Sequence, residues 1–272
     1  MQNAVLRDAI PECANLANAG AAQAEIGAVP RTRLRIVLLD VLRGVAIVAM
    51  IVYHLAFDLE LFGLADLGAT EHWAWIAFVR TIPASFLIIA GISLTLAANG
   101  GLNWRHYWWR IFYLAAAAAL ITVVSYFADP DAIIWFGIIH CIAVSSVIGL
   151  FFLRLPVFVT LLAAAAILVG PLFATPALNA PALLWVGLGT EAPPSNDYNP
   201  LFPWLGFMLI GIALARLVIP YAATAPWAQW RPRDGAGRLL ALAGRHSLMI
   251  YLLHQPILIG ALFALAWMLG RG

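Results

Sequence analysis

The chain has 272 residues, 64% of them hydrophobic and only 10% charged, where a soluble domain carries about 25% charged residues. A mean hydropathy of +0.92 excludes a soluble globular domain and points to a polytopic membrane protein. All 15 basic residues are arginine, which excludes Schiff-base and P-loop lysine chemistry, and a net charge of +2 gives no basic surface for nucleic acid.

Residues 1–30 are rich in Ala, Asn and Gln and lack a continuous apolar run. They read as a flexible cytoplasmic tail, not a cleaved leader, ahead of a transmembrane domain over residues 31–272. Cys13 in this tail and Cys141 in a predicted span lie in different settings, so neither a disulfide nor a metal–thiolate site is expected. A span needs about 20 mostly apolar residues. About seven stretches qualify: 36–57, 74–98, 107–127, 132–153, 155–175, 200–219 and 244–269. The expected fold is therefore an all-α transmembrane bundle of about seven spans. A barrel would instead show alternating segments of about 10 residues.

The first span, in "LDVLRGVAIVAMIVYHLAFDL", carries Asp40, Arg43, His54 and Asp58. With Ile47 they fall near one helical face, because three, four, seven and eleven residues return to about the same azimuth. At 1.5 Å per residue, Asp40 to Asp58 covers about 27 Å, close to the hydrocarbon thickness. Ionisable residues inside spans usually face the bundle interior and mark function. Asp40 and Arg43 are spaced for an i,i+3 ion pair, and Arg43 is equally suited to receiving a phosphate-bearing cofactor. His54 and Asp58 are spaced so that the carboxylate can accept from the imidazole, which would suit a general base or an interfacial structural pair.

In the second span, "SFLIIAGISLTL" places Ser85, Gly91 and Ser93 where small residues allow close helix packing. Arg80 near its start is positioned to meet Asp58 or a substrate carboxylate. In the fourth span, "IIWFGIIHCIAVS" holds His140. The 176–199 segment is the longest loop, and within it "ALLWVGLG" (182–189) reads as a re-entrant or interfacial helix. The sixth span opens at "YNPLFPWLGFMLIGIAL", just after Asp197. The seventh, in "GRHSLMIYLLHQP", brings Arg245 and His246 at its start, either to meet phosphates or to cap a positive surface. His254 follows with Gln255 and Pro256, whose missing N–H can free backbone groups for a site. Three histidines on separate spans raise the question of a metal, but no local ligand spacing supports one and none is expected.

Arginines collect in one set of alternate loops and acids in the other, which sets the N-terminus in the cytoplasm and the C-terminus outside. No internal repeat is evident, which weakens an inverted-repeat transporter.

The quoted stretches, in this order and over about residues 35 to 260, resemble the heparan-α-glucosaminide N-acetyltransferase catalytic family in its short bacterial branch. The resemblance implies a multi-helix acyltransferase of a bacterial cytoplasmic membrane. It would take acetyl or another acyl group from cytoplasmic acetyl-CoA or acyl-CoA to an extracytoplasmic amino sugar or glycan. The family's active-site histidine lies between the first two spans, and the histidine in the matching loop here is His72, in "TEHWAW". His54 stays its rival, with His140 and His254 as further candidates, Asp58 as their partner, and Arg43, Arg245 and His246 toward the CoA phosphates. Histidine would act as base or as transient acyl carrier. The loop is acidic and the chain short beside the lysosomal members, so heparan sulfate itself is not expected as acceptor. A small proton-coupled transporter and a non-catalytic membrane partner of a glycan-modifying system remain as alternatives, and self-association into a homo-oligomer is left open.

Overall fold

The structure, a computed structural model, describes residues 36–68, 71–222 and 224–270, so the expected tail over residues 1–30 lies outside it. The described residues form helices and turns, with no strand. The helices are α1 (Val37–Leu61), α2 (Trp73–Asn99), α3 (Trp104–Ala128), α4 (Ile138–Phe152), α5 (Val157–Val169), α6 (Leu201–Val218), α7 (Pro226–Gln229), α8 (Gly235–Arg245) and α9 (Ser247–Met268). By length and composition, α1, α2, α3, α6 with its continuation to Tyr221, and α9 are long and apolar enough to cross a membrane. The fourth and fifth expected spans form shorter apolar helices, Ile138–Phe152 and Val157–Phe173.

Three boundaries differ from expectation for local reasons. The fourth span begins at Ile138 instead of 132, because the Ile134 backbone is held by α3. Its carbonyl accepts from the Thr122 hydroxyl at 2.7 Å, and its N–H donates to Ser125 Oγ at 3.0 Å. The seventh starts at Ser247, because the chain bends at His246 between α8 and α9. The segment 182–189 is not a helix. After a 3₁₀ turn at Pro181–Leu183, the Trp185 and Val186 carbonyls accept the N–H groups of Leu201 and Phe202, each at 2.9 Å. These are donors that the start of α6 would otherwise leave unpaired.

The core lies where α6 packs on α2, α4 and α5, around Leu87, Leu94, Cys141, Met208, Leu209 and Ile212. Glycines make the closest approaches. A Cβ on Gly91 would stand 2.2 Å from the Met208 carbonyl oxygen, and one on Gly211 would stand 2.2 Å from that of Ile88. The α1–α8 contact is built the same way: a Cβ on Gly44 would lie 2.0 Å from Leu240 O, and one on Gly244 would lie 1.8 Å from Asp40 O. Small residues bring backbones together where lipid provides no hydrophobic drive for helix association. Large apolar side chains such as Trp108, Phe112, Leu120, Phe158 and Leu162 remain exposed on the outside, as a lipid-facing surface requires.

Candidate active site

The polar face of α1 meets α9 at its Asp58 end. Asp58 is fully buried and accepts a hydrogen bond from Gln255 Nε2 at 2.9 Å. One turn earlier on α1, the His54 ring packs against the His254 ring, with centroids 4.9 Å apart and planes at 60°. His54 does not donate to Asp58 as its spacing suggested; the carboxylate is engaged across the interface by Gln255. Asp58 likewise meets Gln255 and not Arg80, which sits on the exposed side of α2.

Four buried side-chain atoms in this patch have no hydrogen-bond partner among the described residues: His54 Nδ1, Asp58 Oδ2, His254 Nε2 and Gln255 Oε1. Orphaned polar atoms in a buried setting cost about 1–3 kcal/mol each, so four in one patch require an explanation. The geometry fixes what two of them can do. His254 Nδ1 lies 2.7 Å from the Tyr251 carbonyl, which can only accept, so Nδ1 carries the proton and Nε2 keeps its lone pair. Gln255 turns its NH₂ toward the carboxylate, so the orphaned Oε1 is an acceptor.

At the other end of the same face, about 27 Å away along α1, the expected ion pair is present. Arg43 Nη1 lies 3.0 Å from Asp40 Oδ1, and Arg245 Nε from α8 lies 3.6 Å from Asp40 Oδ2. Arg43 Nη2 also donates to Ser93 Oγ, whose own hydroxyl donates to the Ile89 carbonyl at 2.6 Å. Ser93 is thus a polar contact as well as a small residue. Arg245 and His246 are exposed at the bend between α8 and α9. The Gly44 and Gly244 contacts set the distance between the two helices that carry these arginines.

Of the other histidine candidates, His72 lies apart from the patch and His140 borders it through Asp197. His72 is exposed and caps α2, its Nδ1 accepting from the Ala74 N–H at 3.3 Å while its ring stacks on Trp73. His140 accepts from the Gly137 N–H through Nδ1 and contacts the Thr122 hydroxyl through Nε2, each at 3.2 Å. That hydroxyl already donates to Ile134, so His140 Nε2 is the donor, and both ring nitrogens are engaged. Among the described residues, no group of three His, Cys, Asp or Glu is placed to hold a metal ion.

Two residues outside the expected set reach the patch from α9 and the loop ahead of α6. Tyr251 Oη donates to Asp197 Oδ2 at 2.8 Å, and its ring lies 5.7 Å from that of His254. The same Asp197 oxygen accepts the Ile138 N–H at 3.0 Å, and Oδ1 accepts from Asn199 Nδ2. Burial pushes the Asp197 carboxyl up from the ordinary carboxylate range, while the bonds from Tyr251, Ile138 and Asn199 pull it back.

Described residues that are helical throughout their regular structure, with five helices among them of membrane-crossing length and large apolar side chains on the outside, define an integral membrane protein. The family model described as heparan-alpha-glucosaminide N-acetyltransferase, catalytic, matches residues 35–256, and the chain belongs to this family of membrane acetyltransferases. The matched region contains Asp40, Arg43, His54, Asp58, Asp197, Tyr251, His254 and Gln255. No curated protein and no solved structure matches the chain.

Proposed function

We propose that the chain moves an acetyl group from acetyl-CoA, presented at the cytoplasmic face of a bacterial inner membrane, to the primary amine of an extracytoplasmic amino sugar or glycan. Family membership supports acetyl transfer. The observation that carries the choice of acceptor is the character of the orphaned atoms. Asp58 Oδ2, Gln255 Oε1 and His254 Nε2 are all hydrogen-bond acceptors. A protonated amine brings three N–H donors and a charge that Asp58 can balance, whereas a hydroxyl brings one donor and no charge.

In this reading His254 Nε2 takes the proton that turns the ammonium into a nucleophile. The amine attacks the thioester carbonyl, a C–N bond forms, the C–S bond breaks, and the CoA thiolate leaves. The amine's second proton passes to the adjacent imidazole of His54 and on to the thiolate. Arg43 and Arg245 hold the CoA phosphates, for which the guanidinium fork is suited. His72, outside the patch, would serve α2 as a cap.

The test uses the purified full chain in proteoliposomes with radiolabelled acetyl-CoA and glucosamine. Expected is one free CoA thiol per N-acetylglucosamine formed, and at least a 100-fold loss of turnover in His254→Gln. Transfer only to hydroxyl acceptors would overturn the choice of amine. Solute uptake with no CoA release would favour a proton-coupled transporter.

A further inference from the structure

We infer that Asp197 and Tyr251 are a positioning pair that sets where the His254 ring lies; the inference rests on the reading of His254 as the proton acceptor. Apolar packing alone holds α9 weakly. Its buried residues are His254, Leu262 and Ala266; Leu248, Ile250, Tyr251 and Leu252 are only partly buried against the core, and Met249, Leu253, Ile257 and Phe263 face outward. In lipid, such a surface gives little preference for one rotation of the helix over another.

Two hydrogen bonds supply what packing does not. Gln255 fastens α9 to Asp58 of α1, and Tyr251 fastens it to Asp197 in the loop ahead of α6. Tyr251, His254 and Gln255 stand at i, i+3 and i+4, so they share one face of α9. Pinning the first and last of these fixes the azimuth of the one between them. Tyr251 also supplies the carbonyl that receives His254 Nδ1–H, so one residue governs both the placement of the ring and its tautomer.

Asp197 is suited to be the fixed point because it is held independently of α9. It accepts from the Ile138 N–H at the N-terminal end of α4, where the helix dipole favours a carboxylate, and from Asn199. Gly137 leaves the space it occupies: a Cβ there would lie 2.2 Å from Asp197 Oδ2. His140 and Cys141 from α4 and Tyr251 and His254 from α9 are the titratable groups facing this carboxyl.

The experiment compares Tyr251→Phe, Asp197→Asn and His254→Gln in the CoA-release assay, with acetyl-CoA and glucosamine as the probes. Tyr251→Phe keeps the ring, the backbone carbonyl and the other bonds of Asp197. It should lower kcat about 10- to 100-fold with KM for acetyl-CoA unchanged, the scale of a catalytic group displaced by about 1 Å. Asp197→Asn keeps an oxygen for Tyr251 and should retain kcat within about threefold, a rescue that mere loss of charge would not give. With His254→Gln inactive, wild-type kcat in Tyr251→Phe, or a change confined to KM, overturns the inference. Activity in His254→Gln overturns the underlying reading of the site, and the inference falls with it.

Discussion

Replacing Gly244 by alanine would place a Cβ 1.8 Å from the Asp40 carbonyl oxygen. The atom it meets is backbone, so no rotamer change relieves the overlap. Real Cβ contacts stay beyond about 3 Å, so α1 and α8 must part by roughly 1 Å. That movement would stretch the Arg245–Asp40 pair, already at 3.6 Å, past ion-pair distance. Overpacking of this kind costs about 1–3 kcal/mol, and the better helix propensity of alanine returns about 0.5–1 kcal/mol. The net expectation is a loss centred near about 1 kcal/mol, within a range of about 0–2.5 kcal/mol, by subtraction of those two terms.

Thermal unfolding of the detergent-solubilised chain measures this directly. Gly260→Ala is the control, because a Cβ at that position of α9 meets nothing within 4 Å and should be neutral or slightly stabilising. Gly44→Ala should cost a similar amount, its Cβ standing 2.0 Å from Leu240 O. The double variant should cost less than the sum, because one separation of the helices relieves both overlaps. Stability in Gly244→Ala equal to that of the Gly260→Ala control, or strict additivity in the double variant, would refute the close α1–α8 contact.

Gln255→Ala removes the described donor to the Asp58 carboxylate and should destabilise the chain by about 1.5–3 kcal/mol, read from the same unfolding curves. Arg43→Ala should raise KM for acetyl-CoA about 10-fold while leaving the amine KM unchanged, as steady-state kinetics can show. Burial raises the Asp197 carboxyl, and this residue lies in the loop outside the spanning helices. A raised carboxyl favours the folded state most when protonated. Its contribution is present below the ordinary value of about 3.9 and lost as pH rises through the folded value. Asp197→Asn should therefore flatten the fall in melting temperature with pH that the wild type shows above about pH 4.

The long helices were legible because each combines about 20 apolar residues with polar ends, a signal that needs no partner helix. Helix α8 was not. It has only 11 residues, three of them Gly and two Arg, so it reads as loop. It forms because Asp234 caps it, accepting the Gly237 N–H at 2.7 Å, and because Gly44 and Gly244 let it lie against α1. In the site, spacing along α1 grouped His54 with Asp58 but could not show which α9 residues would face them. The Gln255 amide takes the carboxylate that the i,i+4 rule would have given to His54. Tyr251 and Asp197 are far apart in sequence and ordinary in context, an aromatic in a span and an acid in a loop. Only the fold brings the two together.

Helix α4 is 15 residues long, about 22 Å, against a hydrocarbon slab of about 30 Å, while α5 is extended by a 3₁₀ turn to Phe173. Loop residues 196–199 close over the start of α4, where Asn196 and Asn199 donate their N–H groups to Ala132 and Phe136. A bilayer meets an apolar helix as short as α4 by local thinning or by snorkelling of flanking residues. Under the proposed transfer, local thinning would shorten the insulating layer that the acetyl group has to cross. On that proposal lipid chain length is expected to influence turnover, with short-chain bilayers matching α4 better than long-chain ones.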